Sequence, residues 1–252
     1  MRLDKYLAEK FGSRTKSAQA IEEGLALVNG KAVSPSYEYK EGDDIAFIQP
    51  DEKFVSNGGY KLSKALKDFS FSAEGKIFAD IGASNGGFTD CLFQNGAKKV
   101  YCIDVGESQL DDSLKAKNVV ILDNFNARNL TKETFSEKID GVVIDVSFIS
   151  LTYILKNVAD VLDDGGCVIA LIKPQFECDG RNIGKGGIVK DAAIHKKVIS
   201  KIYNFARGVG LATVNLTNAP IKKDKNKEYL IFLRKCETKN VDINQLFKYV
   251  KL

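Results

Sequence analysis

Four charged residues stand where the chain changes from one kind of pattern to another. Lys61 lies in Ser56-Asn57-Gly58-Gly59-Tyr60-Lys61-Leu62, ahead of the first strong strand pattern. Asp145 closes the fourth strand-like run, and Lys173 closes the fifth, in Leu171-Ile172-Lys173-Pro174-Gln175-Phe176. Glu228 opens the last run, in Lys227-Glu228-Tyr229. Lysines and carboxylates brought together hold and move protons. Singly, Lys61 and Glu228 read as surface ion-pair residues and Asp145 as a helix cap. Together, at strand ends near one sheet edge, they can converge.

A second constellation suits a bound ligand. The first strand runs into Phe78-Ala79-Asp80-Ile81-Gly82-Ala83-Ser84-Asn85-Gly86-Gly87-Phe88-Thr89. Gly82 and Gly86 let the backbone approach a ligand closely. The dinucleotide spacing G-x-G-x-x-G is absent, and no lysine follows the glycines as a P-loop requires. Twenty-four residues after Asp80, the second strand ends at Asp104, where a carboxylate can accept hydrogen bonds from both hydroxyls of a ribose.

These residues need a scaffold. Strand-like runs are expected at 77–81, 99–103, 119–122, 141–145, 167–173, 212–216 and 229–234. Amphipathic helices at 151–162 and 192–205 separate some of them. The alternation predicts an α/β fold with a mostly parallel seven-stranded sheet covered by helices. Ligands in such folds bind beyond the carboxyl ends of the strands.

The first 48 residues read as a separate small α+β unit. Leu3, Leu7 and Phe11 recur at helical spacing. Ser13 can cap a second helix that stops near Gly24. Leu25–Val28 and Lys31–Val33 flank Asn29-Gly30, a strong hairpin signal, and Asp44–Ile48 reads as a further strand. Residues 49–55 are expected to be a linker, and 56–252 the larger domain. The order and spacing of Arg2-Leu3-Asp4, Arg14, Ala18, Ile21, Gly24, Val28-Asn29-Gly30-Lys31 and Val33 resemble the S4 RNA-binding domain. That resemblance implies that Arg2, Lys5, Arg14 and Lys16 meet RNA phosphates, where cations gain affinity by counterion release.

The glycine turn with Asp104 resembles the class I (Rossmann-like) methyltransferase motif for S-adenosylmethionine. The resemblance places Asp80, Gly82, Ala83, Ser84, Gly86 and Gly87 around the cofactor's methionine end, Asp104 on its ribose and Asn126 near its adenine. The fourth strand ends Asp145-Val146-Ser147-Phe148. Amino-directed enzymes of this class usually carry Pro-Pro and an aromatic there, and cytosine C5 enzymes need a cysteine commonly found in a Pro-Cys pair. Neither occurs. The order Lys61, Asp145, Lys173, Glu228 resembles the ribose 2′-O-methyltransferases related to FtsJ. With the S4 unit in front, the chain resembles the TlyA family across nearly its whole length. Asn57 departs from that family's usual arginine, and Asn85 from its usual Thr or Ser.

The resemblance implies methyl transfer from S-adenosylmethionine to a ribose 2′-hydroxyl of cytidine in ribosomal RNA, with S-adenosylhomocysteine as product and no metal. Lys173 would orient and deprotonate the hydroxyl. The alternatives are a non-catalytic S4-type ribosome-associated factor, an RNA base methyltransferase, or a haemolysin-like membrane-active protein, since family members often carry that label.

Bulk properties narrow these classes. The chain of 252 residues carries net charge +4, with basic clusters at 2–16 and 222–235. The apolar runs are far shorter than the about 20 residues of a membrane span. No secretory pattern follows Met1, so a cytoplasmic location is expected. Five cysteines, none in close pairs, read as reduced buried thiols. The single histidine, His195, sits among lysines in an expected helix and reads as structural.

Overall fold

The computed structural model describes the chain except residues 23–24, 48–52, 108, 179, 181–182, 221–224 and 237–239, and the side chains of Lys16, Gln19 and Lys185. Contacts divide it into two compact units, Met1–Lys53 and Phe54–Ile221 with Lys225–Leu252. Gly24, Ile48, most of the expected linker and Lys222 to Asp224 of the second basic cluster lie outside the described residues. Phe54 and Val55, expected in the linker, pack against the core of the larger unit.

In the small unit, helix α1 covers Leu3–Tyr6 and α2 covers Arg14–Glu22. The spacing of Leu3, Leu7 and Phe11 keeps helical hydrogen bonds beyond α1. Leu7 N–H donates to the Leu3 carbonyl and Phe11 N–H to that of Leu7. Strands β1 (Ala26–Val28), β2 (Lys31–Ala32) and β3 (Ile45–Phe47) form an antiparallel sheet in the order β2-β1-β3. Asn29 and Gly30 make the hairpin turn at φ +49° and +72°, the left-handed region this turn demands. Leu3, Leu7, Ile21, Ala26 and Val28 fill the core.

The larger unit begins with α3 (Asn57–Asp68), followed by β4 (Ile77–Ile81), α4 (Gly87–Gln94), β5 (Lys99–Ile103), α5 (Asp112–Lys115) and β6 (Val119–Leu122). Then come β7 (Gly141–Ile144), α6 (Leu155–Val161), β8 (Cys167–Ile172), α7 (Pro174–Glu177), α8 (Ala192–Gly208), β9 (Leu211–Asn218), β10 (Tyr229–Lys235) and α9 (Ile243–Leu246). The seven strands are ordered β6-β5-β4-β7-β8-β10-β9. All pairings are parallel except those of β10, which is antiparallel to both β8 and β9.

The central strands are buried on both faces, as continuous apolar runs such as Cys167–Ile172 require. One face packs a cluster containing Ile81, Ile103, Ile144, Leu155 and Ile202, and the other a cluster containing Leu62, Phe78, Phe88, Leu92 and Phe232. The helix expected over 151–162 is two pieces. A 3-10 turn at Leu151–Tyr153 precedes α6, with the Ser150 side chain accepting from Thr152 N–H. Helix α8 runs three residues further than expected, to Gly208.

Candidate active site

Strand chemistry aims the charged residues. The Asp145 N–H donates to the Ile81 carbonyl at 3.0 Å, which fixes Asp145 one residue past the end of β7. Pro174 has no N–H to continue a ladder, so β8 stops at Ile172 and Lys173 caps the short α7. Glu228 enters β10 with its carbonyl accepting from Ala219 N–H. Lys61 is carried by α3, which lies unusually close to α4. A Cβ on Gly87 would lie 2.9 Å from Gly59 N and 2.2 Å from Ser56 Oγ, so only glycine there permits the approach.

The four side chains form one connected cluster. Lys173 Nζ meets Asp145 Oδ1 at 2.6 Å. Lys61 Nζ lies 3.7 Å from the other oxygen of Asp145 and donates to Glu228 Oε2 at 2.8 Å. Side-chain exposures are only 10% for Lys173, 17% for Asp145 and Glu228, and 21% for Lys61. Burial pushes the Lys61 ammonium toward losing its proton, but Asp145 and Glu228 outweigh it and raise its pKa. Lys61 is therefore held as a cation. It approaches Lys173 only across Asp145, and the shared carboxylate offsets the repulsion between the two lysines.

The residue patterns missed one contact in this cluster. Lys173 Nζ also donates to Ser147 Oγ at 2.9 Å. Its position two residues beyond Asp145, on the same strand exit, was the available signal.

A cleft of about 320 Å³ opens beside the cluster. Asp145 and Ser147 line it together with Gly82, Ser84, Asp104 and Asn126, and Val105, Phe125 and Ile149 supply apolar wall. Asp104 is braced by two backbone donors, Ser84 N–H at 2.9 Å and Gly106 N–H at 3.1 Å, leaving acceptor capacity toward the cleft. The Asn126 side chain accepts from Arg128 N–H at 3.0 Å. Gly82 has φ +83°, and a Cβ there would sit 2.6 Å from the Asp145 carbonyl oxygen. This donor set fits S-adenosylmethionine: a ribose-binding carboxylate, an apolar wall for a purine and a side-chain-free turn.

Other residues of the glycine turn lie elsewhere. Asp80 is fully buried below the turn, accepting from Thr89 Oγ1 at 2.7 Å. Burial pushes its carboxyl up to about 7. Ala83 is 6% exposed and belongs to the core on the α3 and α4 side. Gly86 faces Leu110 and Leu114, and Gly87 faces α3. These three positions and Asp80 shape the turn and are separate from the residues lining the cleft.

In the small unit, Arg2 and Arg14 converge on one acid. Arg2 makes a two-pronged contact with Asp4 at 2.7 and 3.2 Å, and Arg14 reaches the same carboxylate at 3.3 Å. Asp4 is 4% exposed in its side chain, whereas the arginines are 45% and 57% exposed. Lys5 is exposed. The side chain of Lys16 lies outside those described.

Two further expectations concern single residues. His195 is buried, with Nε2 3.0 Å from the Val189 carbonyl and Nδ1 2.8 Å from the Tyr229 hydroxyl, so it serves packing. Cys91, Cys102 and Cys167 are buried thiols outside any disulfide, whereas Cys178 and Cys236, expected to be buried, are partly exposed. Among the described residues no helix is long and apolar enough to cross a membrane.

Comparison with known proteins accords with this geometry. Residues 54–235 match the FtsJ-like methyltransferase model, and residues 1–45 match the S4 domain model. The chain is 43% identical to Hemolysin A of Brachyspira hyodysenteriae, covering 91% of this chain and 98% of that one. It is 34% identical to the 16S/23S rRNA (cytidine-2′-O)-methyltransferase TlyA of Mycobacterium tuberculosis, covering 88% and 84%. A solved structure of a candidate hemolysin from Streptococcus thermophilus is 37% identical, with TM-score 0.75, covering 99% and 96%. The chain belongs to the FtsJ-like methyltransferases, in the branch that carries an N-terminal S4 domain and includes TlyA.

Proposed function

We propose that this protein transfers a methyl group from S-adenosylmethionine to a ribose 2′-hydroxyl of cytidine in ribosomal RNA, in the cytoplasm. The observation that carries the reading is the connected Lys173–Asp145–Lys61–Glu228 cluster at the edge of a ribose-accepting cleft. When bound, the cofactor supplies an electrophilic sulfonium methyl whose positive charge is neutralised on transfer.

The chain's own residues manage the hydroxyl. A 2′-hydroxyl is a weak nucleophile until its proton is polarised or removed. Lys173 is the group placed to do this. Asp145 at 2.6 Å and Ser147 at 2.9 Å fix its Nζ, leaving the hydroxyl to approach along a defined direction. Lys61, held as a cation, balances the second oxygen of Asp145 so that the carboxylate does not swing away. Glu228 in turn anchors Lys61. Asp104 holds the cofactor ribose, Gly82 and Ser84 lie along its methionine end, and Asn126 marks the adenine side. In the S4 unit, Arg2, Lys5, Arg14 and Lys16 meet RNA phosphates.

The related TlyA proteins named for 2′-O-methylation of rRNA support the substrate class. Lys173→Ala tests the reading. It is expected to lower methyl transfer by at least about a thousand-fold, within the range for losing a proton-transfer group. Calorimetric titration should still show S-adenosylmethionine binding. Retained turnover would remove Lys173 from the chemistry.

A further inference from the structure

The segments leaving β7 and β8 are tied together twice. The first tie is the Lys173 contact with Asp145 and Ser147 already described. The second lies further from the cleft and centres on Glu177, at the end of α7. Its side chain is 2% exposed, and a carboxylate so buried costs several kcal/mol unless its oxygens are satisfied. Here the donors are complete. Ser150 Oγ donates to Oε2 at 2.5 Å and Leu151 N–H to Oε1 at 2.6 Å. Lys201 of α8 reaches Oε2 at 3.1 Å and the Glu177 carbonyl at 3.0 Å.

The loop 145–151 is therefore pinned at both ends to the segment 173–177. Between the pins, Phe148 adopts φ +65°, a strained conformation for a non-glycine residue that persists only where the surroundings enforce it. That backbone bend sits next to Ser147, which meets Lys173. The three donors to the Glu177 side chain come from the loop, through Ser150 Oγ and Leu151 N–H, and from α8, through Lys201.

We infer that Glu177 is a positioning residue: by clamping Ser150 and Leu151 it sets the place of Ser147 and Asp145 against Lys173. The inference rests on the proposed methyl transfer, so both must be read in one assay. The experiment measures kcat, KM for RNA, cofactor affinity and melting temperature for the parent protein, Glu177→Gln, Ser147→Ala and the double variant. An inactive parent would reject the proposed transfer itself. With an active parent, kcat of Glu177→Gln is expected to fall about ten- to a hundred-fold, the scale of a misplacement near 1 Å. KM for RNA and cofactor affinity should stay within about two-fold, and Ser147→Ala should add little to the loss in the double variant.

If Glu177→Gln does not fold, Ser150→Ala removes the 2.5 Å bond while leaving the carboxylate its other donors. It should show a smaller fall in kcat, again without a change in cofactor affinity. A folded variant with parental kcat, or losses in the double variant that multiply fully, would reduce Glu177 to a stabilising residue and overturn the inference.

Discussion

The two units use the same kinds of charge in opposite ways. In the larger unit, two lysines and two carboxylates face one another in a half-buried chain of contacts, and each charge is spent on its neighbour. In the small unit one buried acid, Asp4, holds two arginines that keep about half of their surface in water. The first arrangement fixes atoms at the scale of a reacting bond. The second fixes direction but leaves positive charge available to a polyanion. Catalysis needs the former and phosphate binding the latter.

Breaking each cluster should show that difference. The largest effect is expected at Asp145, the one acid in contact with both lysines. Asp145→Ala leaves the buried Lys173 ammonium without its carboxylate and Lys61 with Glu228 alone, and methyl transfer should disappear. Part of the loss should be structural, because unpairing buried charges costs about 3–5 kcal/mol. Steady-state rates together with thermal melting separate the two contributions.

Next comes Asp104→Ala. Losing hydrogen bonds to a charged acceptor is worth about 1.5–3 kcal/mol, so cofactor affinity should weaken on the order of ten- to a hundred-fold in a titration. RNA affinity should not follow.

Arg14→Ala should weaken RNA binding only several-fold, evenly across sequences, and reduce the salt dependence by roughly one phosphate contact. A measured loss of cofactor affinity in that variant would contradict a separate RNA-binding role for the S4 unit.

The smallest effect concerns pH and Asp80. Burial raises its folded-state pKa to about 7, against the ordinary 3.8 of an aspartate. Between those values the folded chain binds a proton that the unfolded chain has released, so this group's stabilisation is present at low pH and is lost as pH rises toward 7. Asp80→Asn, which can still accept from Thr89, should gain melting temperature relative to the parent as pH climbs from 4 to 7. A constant offset across that range would show that Asp80 does not titrate as its burial demands.

Several features could be seen in the residue order because local physics enforces them. Runs such as Gly141–Ile144 and Cys167–Ile172 carry no polar side chain on either face, so they must be central strands, and their ends place Asp145 and Lys173. Asp104 was visible because its distance from the glycine turn reflects the length of one strand-helix-strand unit. The roles of the individual glycines were not. Gly82, Gly86 and Gly87 look alike in sequence, yet the first abuts the Asp145 backbone, the second two leucines and the third α3. Only the fold determines what each would touch. Glu177 and Ser147 escaped notice for a related reason. Their partners, Lys201 and Lys173, are 24 and 26 positions away and are brought near only by the tertiary fold, Lys201 by the packing of α8 and Lys173 by the order of the strands.

The most direct test of the account is methyl transfer from labelled S-adenosylmethionine to ribosomal subunits from cells lacking this protein, followed by nucleoside mass spectrometry. The account predicts label on the ribose of a cytidine, as 2′-O-methylcytidine. Label on a base, or no transfer by protein shown to bind the cofactor, would contradict it.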